Sequence, residues 1–205
     1  MSRPETLFVK ICGLQSKADI EAASALDLDA IGFVFAPKSR RFVSFTQAKT
    51  LKEQLRKDIQ AAGVFVNAPI QTIVQAASEK IIDLVQLHGS EDSEYIQSLK
   101  SVCSLPVIQA FRIESSADLV KARESTADRI LLDAPAPGSG KAFDWSLLQD
   151  FDRDFILAGG LNPDLVEEAL KLQKLTGLDV SSGVESDGKK DPEKMKAFVQ
   201  AARRK

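Results

Sequence analysis

The sequence predicts an α/β protein whose parallel strands close into an eight-stranded (β/α)8 barrel, or TIM barrel, as a single domain over residues 1–205. Short apolar runs rich in β-branched residues alternate along the whole chain with longer amphipathic runs. Strands that are apolar on both faces are typical of a parallel sheet covered by helices. Eight such units average about 26 residues each, which fits the lower end of barrel sizes.

Each unit pairs one predicted strand with one predicted helix. The predicted strands cover residues 7–11, 29–35, 61–66, 83–88, 106–111, 128–134, 154–159 and 177–182. The predicted helices cover residues 16–27, 45–59, 69–80, 91–101, 115–125, 144–152, 162–173 and 191–204. An open doubly wound sheet is the alternative, but no G-x-G-x-x-G motif follows a predicted strand, so the barrel is favoured.

Composition and charge narrow the class of protein. The chain is 44% apolar and 27% charged with a net charge of −2, so nothing in its overall charge indicates binding to nucleic acid or to an anionic membrane. No apolar stretch is long enough to span a membrane and no signal peptide is recognisable, so we expect a cytoplasmic protein. The basic C-terminal cluster 203–205 is expected to be solvated.

Two cysteines and one histidine are the residues that could suggest a metal. Cys12, Cys103 and His88 do not have the spacing of a zinc site, so no metal is expected. In a barrel the chemistry lies at the carboxyl ends of the strands. Most polar and glycine-rich residues that border the predicted strands fall at those ends, whereas the helix-to-strand junctions look comparatively plain.

The loops after the seventh and eighth strands predict a phosphate site. They contain Gly159-Gly160 and Ser182-Gly183, small residues that let a ligand approach the backbone closely. Consecutive backbone N–H groups in such turns bind anions, a helix N-terminus nearby would add positive charge, and barrels often bind phosphate at these two loops. Tight turns without a ligand are the alternative, but two such loops on adjacent strands favour a phosphorylated small molecule.

The first and sixth strands end in residues that could carry proton transfer. Cys12 follows an apolar run, and Asp133 follows three apolar residues, where an unpaired carboxylate would be costly. A buried spacer cysteine and a turn-capping aspartate are the plain interpretations. Facing each other across the barrel mouth, a thiolate base and a carboxylic acid would suit an isomerisation. The loop 134–141 is either a mobile lid or an ordinary solvent loop.

Strand alternation makes one further prediction about the interior. Lys10 and Cys12 share one face of the first strand, and Asp179 and Ser181 share one face of the eighth. The first and eighth strands are neighbours when a barrel closes. We therefore expect Lys10 and Asp179 to meet inside the barrel beneath Cys12, where the lysine charge would favour the thiolate.

Several stretches along the chain resemble one family in order and nearly from end to end. They are VKICGL, DAIGFVFAPKSRRFVS, GVFVN, VQLHG, LLDA, GSGKAFDW, AGGLNP and LDVSSGVES, followed by GKKD. By these motifs the sequence resembles the phosphoribosylanthranilate isomerase family of tryptophan biosynthesis. The resemblance implies a TIM barrel, an Amadori rearrangement of N-(5′-phosphoribosyl)anthranilate, and no metal or organic cofactor.

The resemblance also implies roles for individual residues. It makes Asp133 the general acid that protonates the furanose ring oxygen and Cys12 the general base that removes the C2 proton. Arg41 would hold the anthranilate carboxylate, with Arg40 as a weaker match, because a guanidinium suits a planar carboxylate. The remaining residues assigned to substrate binding are His88, Asp179, Gly159, Gly160, Ser182 and Gly183. His88 could equally be a structural histidine.

Other functions stay open at the level of the sequence. The chain could be a different phosphosugar barrel, such as the histidine-pathway isomerase, which typically has an aspartate in place of Cys12, or an indole-forming synthase, which needs a catalytic lysine not found here. It could also be a non-catalytic phosphate-binding module. That module could also be one for interaction with another molecule. The expected partner is a small-molecule phosphosugar substrate, and the chain would act as a monomer or homodimer.

Overall fold

Eight parallel strands form a closed barrel in the computed structural model of the protein, which describes residues 7–133, 145–148 and 151–204. Each strand pairs with the next in the sequence, and the last pairs with the first, so the predicted fold class is confirmed. The strands are β1 (Phe8–Cys12), β2 (Ala30–Val34), β3 (Gln60–Phe65), β4 (Leu84–Leu87), β5 (Val107–Arg112), β6 (Arg129–Asp133), β7 (Phe155–Ala158) and β8 (Leu175–Val180).

Helices cover the outside of the barrel. They are α1 (Lys17–Ser24), α2 (Phe45–Lys52), α3 (Ile70–Ser78), α4 (Ser93–Val102), α5 (Ser116–Glu124), α6 (Val166–Ala169) and α7 (Pro192–Arg203), with 3₁₀ turns at Trp145–Leu148, Pro163–Leu165 and Ser182–Val184. The start of α1 is fixed by a capping box, in which Ser16 accepts from the Asp19 N–H and Asp19 accepts from the Ser16 N–H. None of the helices in the described ranges is both long and apolar enough to cross a membrane.

Three predicted segments differ from the structure. The predicted helix 162–173 is a 3₁₀ turn followed by the four-residue α6, because a turn at 171–174 with left-handed backbone at Lys174 (φ 62°) leads directly into β8. Strand β8 consequently begins two residues earlier than predicted and ends before Ser181. The predicted helix 45–59 ends at Lys52. Of the predicted helix 144–152, only 145–148 and 151–152 lie within the described residues.

The core has two layers. Inside the barrel, small and medium side chains fill the lower interior, among them Ala30, Ala62, Leu84, Ile108, Leu131 and Ile156. A larger layer between the strands and the helices contains bulkier residues such as Phe33, Phe65 and Phe155. The limited width of an eight-stranded barrel explains the small interior residues.

The amino-terminal end of the barrel carries a repeated aspartate clamp that was not predicted from the sequence. Asp29, Asp83 and Asp128 each directly precede an even-numbered strand. Each accepts a hydrogen bond from the backbone N–H of the preceding odd-numbered strand and donates its own N–H back to the same residue. The three partner residues are Val9, Ala61 and Val107, at N···Oδ2 distances of 2.7, 2.9 and 2.8 Å. The expectation that these junctions are plain was therefore wrong.

Each clamp is completed by a cation. Lys52 and Lys100 lie 2.6 and 2.7 Å from Asp83 and Asp128, and Arg203 lies 2.7 Å from Asp29. Arg203 also donates to the carbonyl of Leu7 and is only 20% exposed. The expectation that the C-terminal basic cluster is fully solvated was wrong for Arg203, which joins the last helix to the base of the barrel.

A short antiparallel hairpin follows β8 at the carboxyl end. Its strands are β9 (Glu185–Ser186) and β10 (Lys189–Lys190). Both turn residues have positive φ, 51° at Asp187 and 76° at Gly188, as a tight hairpin with a right-handed strand twist requires. The hairpin brings two charged residues, Glu185 and Lys190, to the barrel mouth.

Candidate active site

A cavity of about 260 Å³ opens at the carboxyl end of the barrel. Eight of the nine predicted site residues line it: Cys12, Asp133, Arg41, His88, Asp179, Gly159, Gly160 and Ser182. Larger clefts of about 710 and 490 Å³ lie elsewhere, one beside α2 and α3 and one between β4 and α5. The smaller cavity is the candidate site because it alone of these three collects a thiol, a carboxylate and a histidine.

Cys12 is the last residue of β1 and reaches the cavity. Its sulfur lies over Gly32 of β2 so closely that a Cβ atom built on Gly32 would be 2.6 Å from Sγ. Burial raises the pKa of the Cys12 thiol, and Asp179 adds to the increase, whereas the charges of Lys10 and Lys190 lower it. The predicted influence of Lys10 on the thiol therefore has the expected direction, but burial outweighs it.

Lys10 and Asp179 form the predicted pair inside the barrel. Lys10 is fully buried, and its Nζ donates to Asp179 Oδ2 at 2.6 Å. The two residues are aligned in the β1–β8 pairing, so the closing seam of the barrel brings them together. Burial alone would lower the pKa of Lys10, but attraction to Asp179 and Cys12 outweighs burial and raises it. The other carboxylate oxygen of Asp179 is buried and has no hydrogen-bond partner among the described residues.

Asp133 ends β6 and belongs to a hydrogen-bonded chain of three side chains. His88 Nε2 lies 2.9 Å from Asp133 Oδ2, and Gln86 Nε2 lies 3.3 Å from His88 Nδ1. The Gln86 amide nitrogen can only donate, so in this contact His88 Nδ1 is the acceptor and Nε2 is the ring nitrogen that faces Asp133. His88 is therefore part of the site and orients the carboxyl group.

The two predicted phosphate loops lie side by side. Gly159 and Gly160 both have left-handed backbone, with φ of 77° and 62°, and no atom of the described residues lies within 4 Å of a Cβ built on Gly160. Gly183 packs against the neighbouring loop, because a Cβ there would be 1.7 Å from the carbonyl oxygen of Leu161. Gly183 is the one predicted site residue absent from the cavity lining, so its position indicates a packing role.

The expected contribution of a helix N-terminus to this phosphate site is not supported. The helix predicted from residue 162 is a 3₁₀ turn and the short α6, which together carry little helix dipole. Asn162 satisfies the first N–H groups of the turn by accepting from Asp164 and Leu165. The backbone N–H groups that could bind an anion in this region are therefore those of the glycine turn and the Ser182 turn.

Arg41 enters the cavity from the loop after β2 and lies across Gly13. A Cβ on Gly13 would be 2.3 Å from Arg41 Cδ, and Gly13 has φ of 82°, which explains why the chain breaks at glycine directly after Cys12. Arg41 donates to Glu185 through Nε at 2.7 Å and Nη2 at 3.0 Å. Arg40 donates to the same carboxylate at 2.6 Å and is 57% exposed, so Arg41 is the arginine that faces the site.

Three polar residues of this region were not predicted from the sequence: Gln86, Glu185 and Lys190. Gln86 is 1% exposed and lies two residues before His88, so the alternation that paired Lys10 with Cys12 could have identified it. Glu185 and Lys190 are brought in by the hairpin, for which Asp187-Gly188 was a strong sequence signal. The loop 134–141, considered as a lid, lies outside the described residues.

The cavity has a thiol at the end of β1 and a carboxyl group at the end of β6. These two strands are not neighbours, because β7 and β8 lie between them in the barrel. Buried cations lie beside the thiol, and a wall of Val34, Val64, Val66 and Leu161 provides apolar surface. Such a cavity can hold a ligand with an anionic end, a polar centre and an apolar ring, and can exchange protons at two points of it.

Comparisons with known proteins agree with this geometry. Residues 9–201 match the sequence profile of a family described as N-(5'phosphoribosyl)anthranilate (PRA) isomerase. The N-(5'-phosphoribosyl)anthranilate isomerase of Thermoanaerobacter sp. (strain X514) is 42% identical over 201 residues, which cover 95% of this chain and 97% of that protein.

Solved structures give the same result. A phosphoribosyl anthranilate isomerase in complex with reduced 1-(o-carboxyphenylamino)-1-deoxyribulose 5-phosphate has a TM-score of 0.84 and 36% identity, covering 97% of this chain and 99% of that one. Monomers of a dimeric enzyme from Thermotoga maritima have a TM-score of 0.83 and 36% identity, with the same coverage. By sequence and by structure, the chain belongs to the N-(5′-phosphoribosyl)anthranilate isomerase family.

Proposed function

We propose that the chain performs the isomerase reaction of its family with Asp133 as general acid and Cys12 as general base. As a member of this family it is an isomerase of tryptophan biosynthesis. The observation that carries the role assignment is that Cys12 and Asp133 line one cavity from non-adjacent strands. A sugar held between them would present its ring oxygen to one and its C2 hydrogen to the other.

The reaction then needs two proton transfers. Asp133 gives its proton to the furanose ring oxygen, the C1–O bond breaks, and the anthranilate nitrogen becomes a protonated imine. Cys12, as thiolate, takes the proton from C2, and the electron pair of that C–H bond forms the enolamine by neutralising the iminium. Tautomerisation of the enolamine gives the 1-amino-1-deoxyribulose ketone. The iminium is the electron acceptor, so the chain's own acid and base supply the chemistry.

Substrate binding is assigned to the two ends of the cavity. The loops containing Gly159-Gly160 and Ser182 would hold the phosphate, because both are open turns at the cavity edge. A relative binds a reduced deoxyribulose 5-phosphate analogue, which supports a ligand of this class. The Nη1 edge of Arg41 would hold the anthranilate carboxylate, since Glu185 takes the Nε edge.

The centre of the cavity offers acceptors for sugar hydroxyl groups. The buried oxygens Asp179 Oδ1 and Gln86 Oε1 have no hydrogen-bond partner within residues 7–133, 145–148 and 151–204, and both residues line the cavity. An unpaired buried acceptor is costly, and a substrate hydroxyl would remove that cost on binding. Asp179 thus has two roles in this proposal, as the partner of Lys10 and as a substrate contact.

Replacing the acid and the base separately tests the proposal. Cys12→Ala and Asp133→Asn should each lower kcat by about 10²- to 10⁴-fold, the usual contribution of a general acid or base. The assay follows loss of the fluorescence of phosphoribosylanthranilate, and Cys103→Ala, a buried cysteine outside the cavity, is the matched control.

Binding and chemistry should separate in these variants. Titration with the reduced deoxyribulose phosphate analogue should still show binding to Cys12→Ala, because the phosphate loops are unchanged. Wild-type turnover in either variant would contradict the role assignment, whereas loss of turnover in the Cys103→Ala control would show that the assay reports folding.

Domain organisation, location and assembly are part of the same proposal. We propose that residues 1–205 form a single domain that works in the cytoplasm on a small phosphosugar, without nucleic-acid partners, as a monomer or homodimer. Light scattering at several protein concentrations distinguishes the two assemblies. A larger assembly at low concentration would contradict both.

A further inference from the structure

Lys190 is a buried cation in the hairpin that follows β8. Its side chain is 2% exposed, and Nζ donates to Glu185 Oε1 at 2.8 Å and to the carbonyl oxygen of Ser181 at 2.9 Å. A buried lysine requires such partners. The next residue toward the N-terminus, Lys189, is exposed, so the two neighbouring lysines have different surroundings.

Lys190 and Cys12 are held by the same residue. Ser181 accepts from Lys190 through its carbonyl oxygen, and its hydroxyl donates to the carbonyl oxygen of Cys12 at 3.0 Å. This connection crosses the seam between β8 and β1. The hairpin therefore fixes the position of its ammonium group relative to the residue that carries the thiol.

Lys190 shares its carboxylate partner with two other cations. Lys10 pairs with Asp179 at 2.6 Å, whereas Glu185 is contacted by Lys190, Arg40 and Arg41. Of those three, Lys190 is the least exposed, at 2% against 57% and 20% for the arginines, so water screens its field least.

The surroundings of Cys12 in the described ranges include charges of both signs. Its ionisable and charged neighbours, from the strands, the hairpin and the far side of the cavity, are Lys10, Asp179, Lys190, Glu185, Arg41, His88 and Asp133. Burial raises the pKa of the Cys12 thiol, and only Lys10 and Lys190 are identified as lowering it. Lys10, from β1, and Lys190, from the hairpin, therefore oppose the effect of burial on the thiol from two different elements.

We infer that Lys190 is a positioning residue of the reaction, whose buried ammonium stabilises the thiolate form of Cys12. The inference rests on the proposed function and deepens it, since it says how the Cys12 thiol becomes a base. The hairpin then has an electrostatic role, in which β9 supplies the carboxylate that holds the lysine and β10 supplies the lysine itself.

Alkylation of Cys12 by iodoacetamide tests the inference without relying on turnover. In a Cys103→Ala background only Cys12 reacts, and the midpoint of the rate against pH reports its ionisation. Lys190→Met should move this midpoint up by about one pH unit, a tenfold loss of thiolate at fixed pH, as expected when a nearby opposite charge is removed. Lys189→Met, the exposed neighbour, should leave it unchanged, and Lys190→Arg should keep it near the wild-type value.

Each outcome bears on the inference. An unchanged midpoint in Lys190→Met, or an equal shift in Lys189→Met, would overturn it. If Lys190→Met does not fold by circular dichroism, Glu185→Gln replaces it with the opposite sign: removing the counter-charge should lower the midpoint, and an increase would overturn the inference. Loss of turnover in Cys12→Ala with no shift in Lys190→Met would leave the proposed function standing and reject only the role of Lys190.

Discussion

The two ends of the barrel use charged residues in opposite ways. At the amino-terminal end, Asp29, Asp83 and Asp128 each bind a backbone N–H and a cation. At the carboxyl end, Asp179 Oδ1 and Gln86 Oε1 are buried and find no partner in the part of the chain that the structure describes. The aspartates at the first end are paired within the chain, whereas the second end holds two buried acceptors that no described residue pairs.

We therefore expect the charged residues at the amino-terminal end to affect stability and those at the carboxyl end to affect activity. Polar groups that are fully paired contribute to folding, and their loss should be measured in the free energy of unfolding. Buried polar groups that have no hydrogen-bond partner reduce stability, and a bound ligand can supply the missing hydrogen bond. Substitutions at the two ends should therefore have effects on different observables, and the following experiments test that separation.

The largest effect, a loss of stability, is expected for Lys10→Met. Lys10 lies inside the barrel, between the two ends. Removing one member of a buried ion pair leaves Asp179 uncompensated, which typically destabilises by about 3–5 kcal/mol. Urea unfolding measures the change. Lys17→Met breaks an exposed pair with Glu21 and should change stability by less than about 0.5 kcal/mol. A loss below about 1 kcal/mol for Lys10→Met would contradict the buried pair.

The next effect is expected at the carboxyl end, for Gly32→Ala. The new Cβ would lie 2.6 Å from Cys12 Sγ and would displace the thiol. A misplacement of this size typically lowers kcat by about 100-fold. Gly63→Ala, whose Cβ would meet Ile82, Phe65 and Phe35 in the outer layer, is the control and should lower stability while kcat stays near wild type. Equal losses of kcat in both variants would contradict the idea that Gly32 sets the position of the Cys12 sulfur.

A smaller effect, on stability and not on kcat, is expected at the amino-terminal end. Asp83→Ala removes the bond to the Ala61 N–H and the contact with Lys52, at a cost of about 1.5–3 kcal/mol for a charged hydrogen bond. Steady-state kinetics should show an unchanged kcat below the melting temperature. Asp58→Ala, in an exposed pair with Arg56, is the control. A fall in kcat for Asp83→Ala would show that the two ends are coupled.

The smallest effect is expected for the contribution of Cys12 to the pH dependence of the free energy of unfolding. The pKa of Cys12 is raised above its usual 9.0 by burial, so folding favours the neutral thiol. The contribution of this shift to stability is complete below pH 9 and is lost as pH rises through the folded-state pKa. Urea unfolding between about pH 8 and 10.5 should show stability falling less steeply in Cys12→Ala than in wild type. If stability falls equally steeply with pH in the two proteins, the Cys12 thiol is not desolvated by folding.

The sequence was sufficient where one regular rule governs the geometry. The Lys10–Asp179 pair follows from alternation along two strands and from closure of the barrel, both of which are fixed once the fold is known. The same rules placed Cys12 and Asp133 on one cavity. Their catalytic roles stay predictions until the substitutions are measured.

The sequence was insufficient where tertiary packing decides. The turn ending at Lys174 shortened a helix that local propensity favoured, because the chain must enter β8 there. The burial of Lys190 depends on a two-residue hairpin folding back onto the cavity, which no periodic pattern indicates. The aspartate clamps were visible as acidic residues before apolar runs, but their meaning requires knowing which backbone N–H group they face.

The seam between β1 and β8 has a consequence for synthesis of the protein. Cys12 and Lys10 lie near the beginning of the chain, whereas Asp179, Ser181 and Lys190, three of the residues around Cys12, lie near the end. A nascent chain emerging from the ribosome therefore carries its thiol long before Asp179 and Lys190 have been synthesised. Competence for chemistry is acquired only when the last stretch docks, so truncated products should be inert even if most of their strands have assembled.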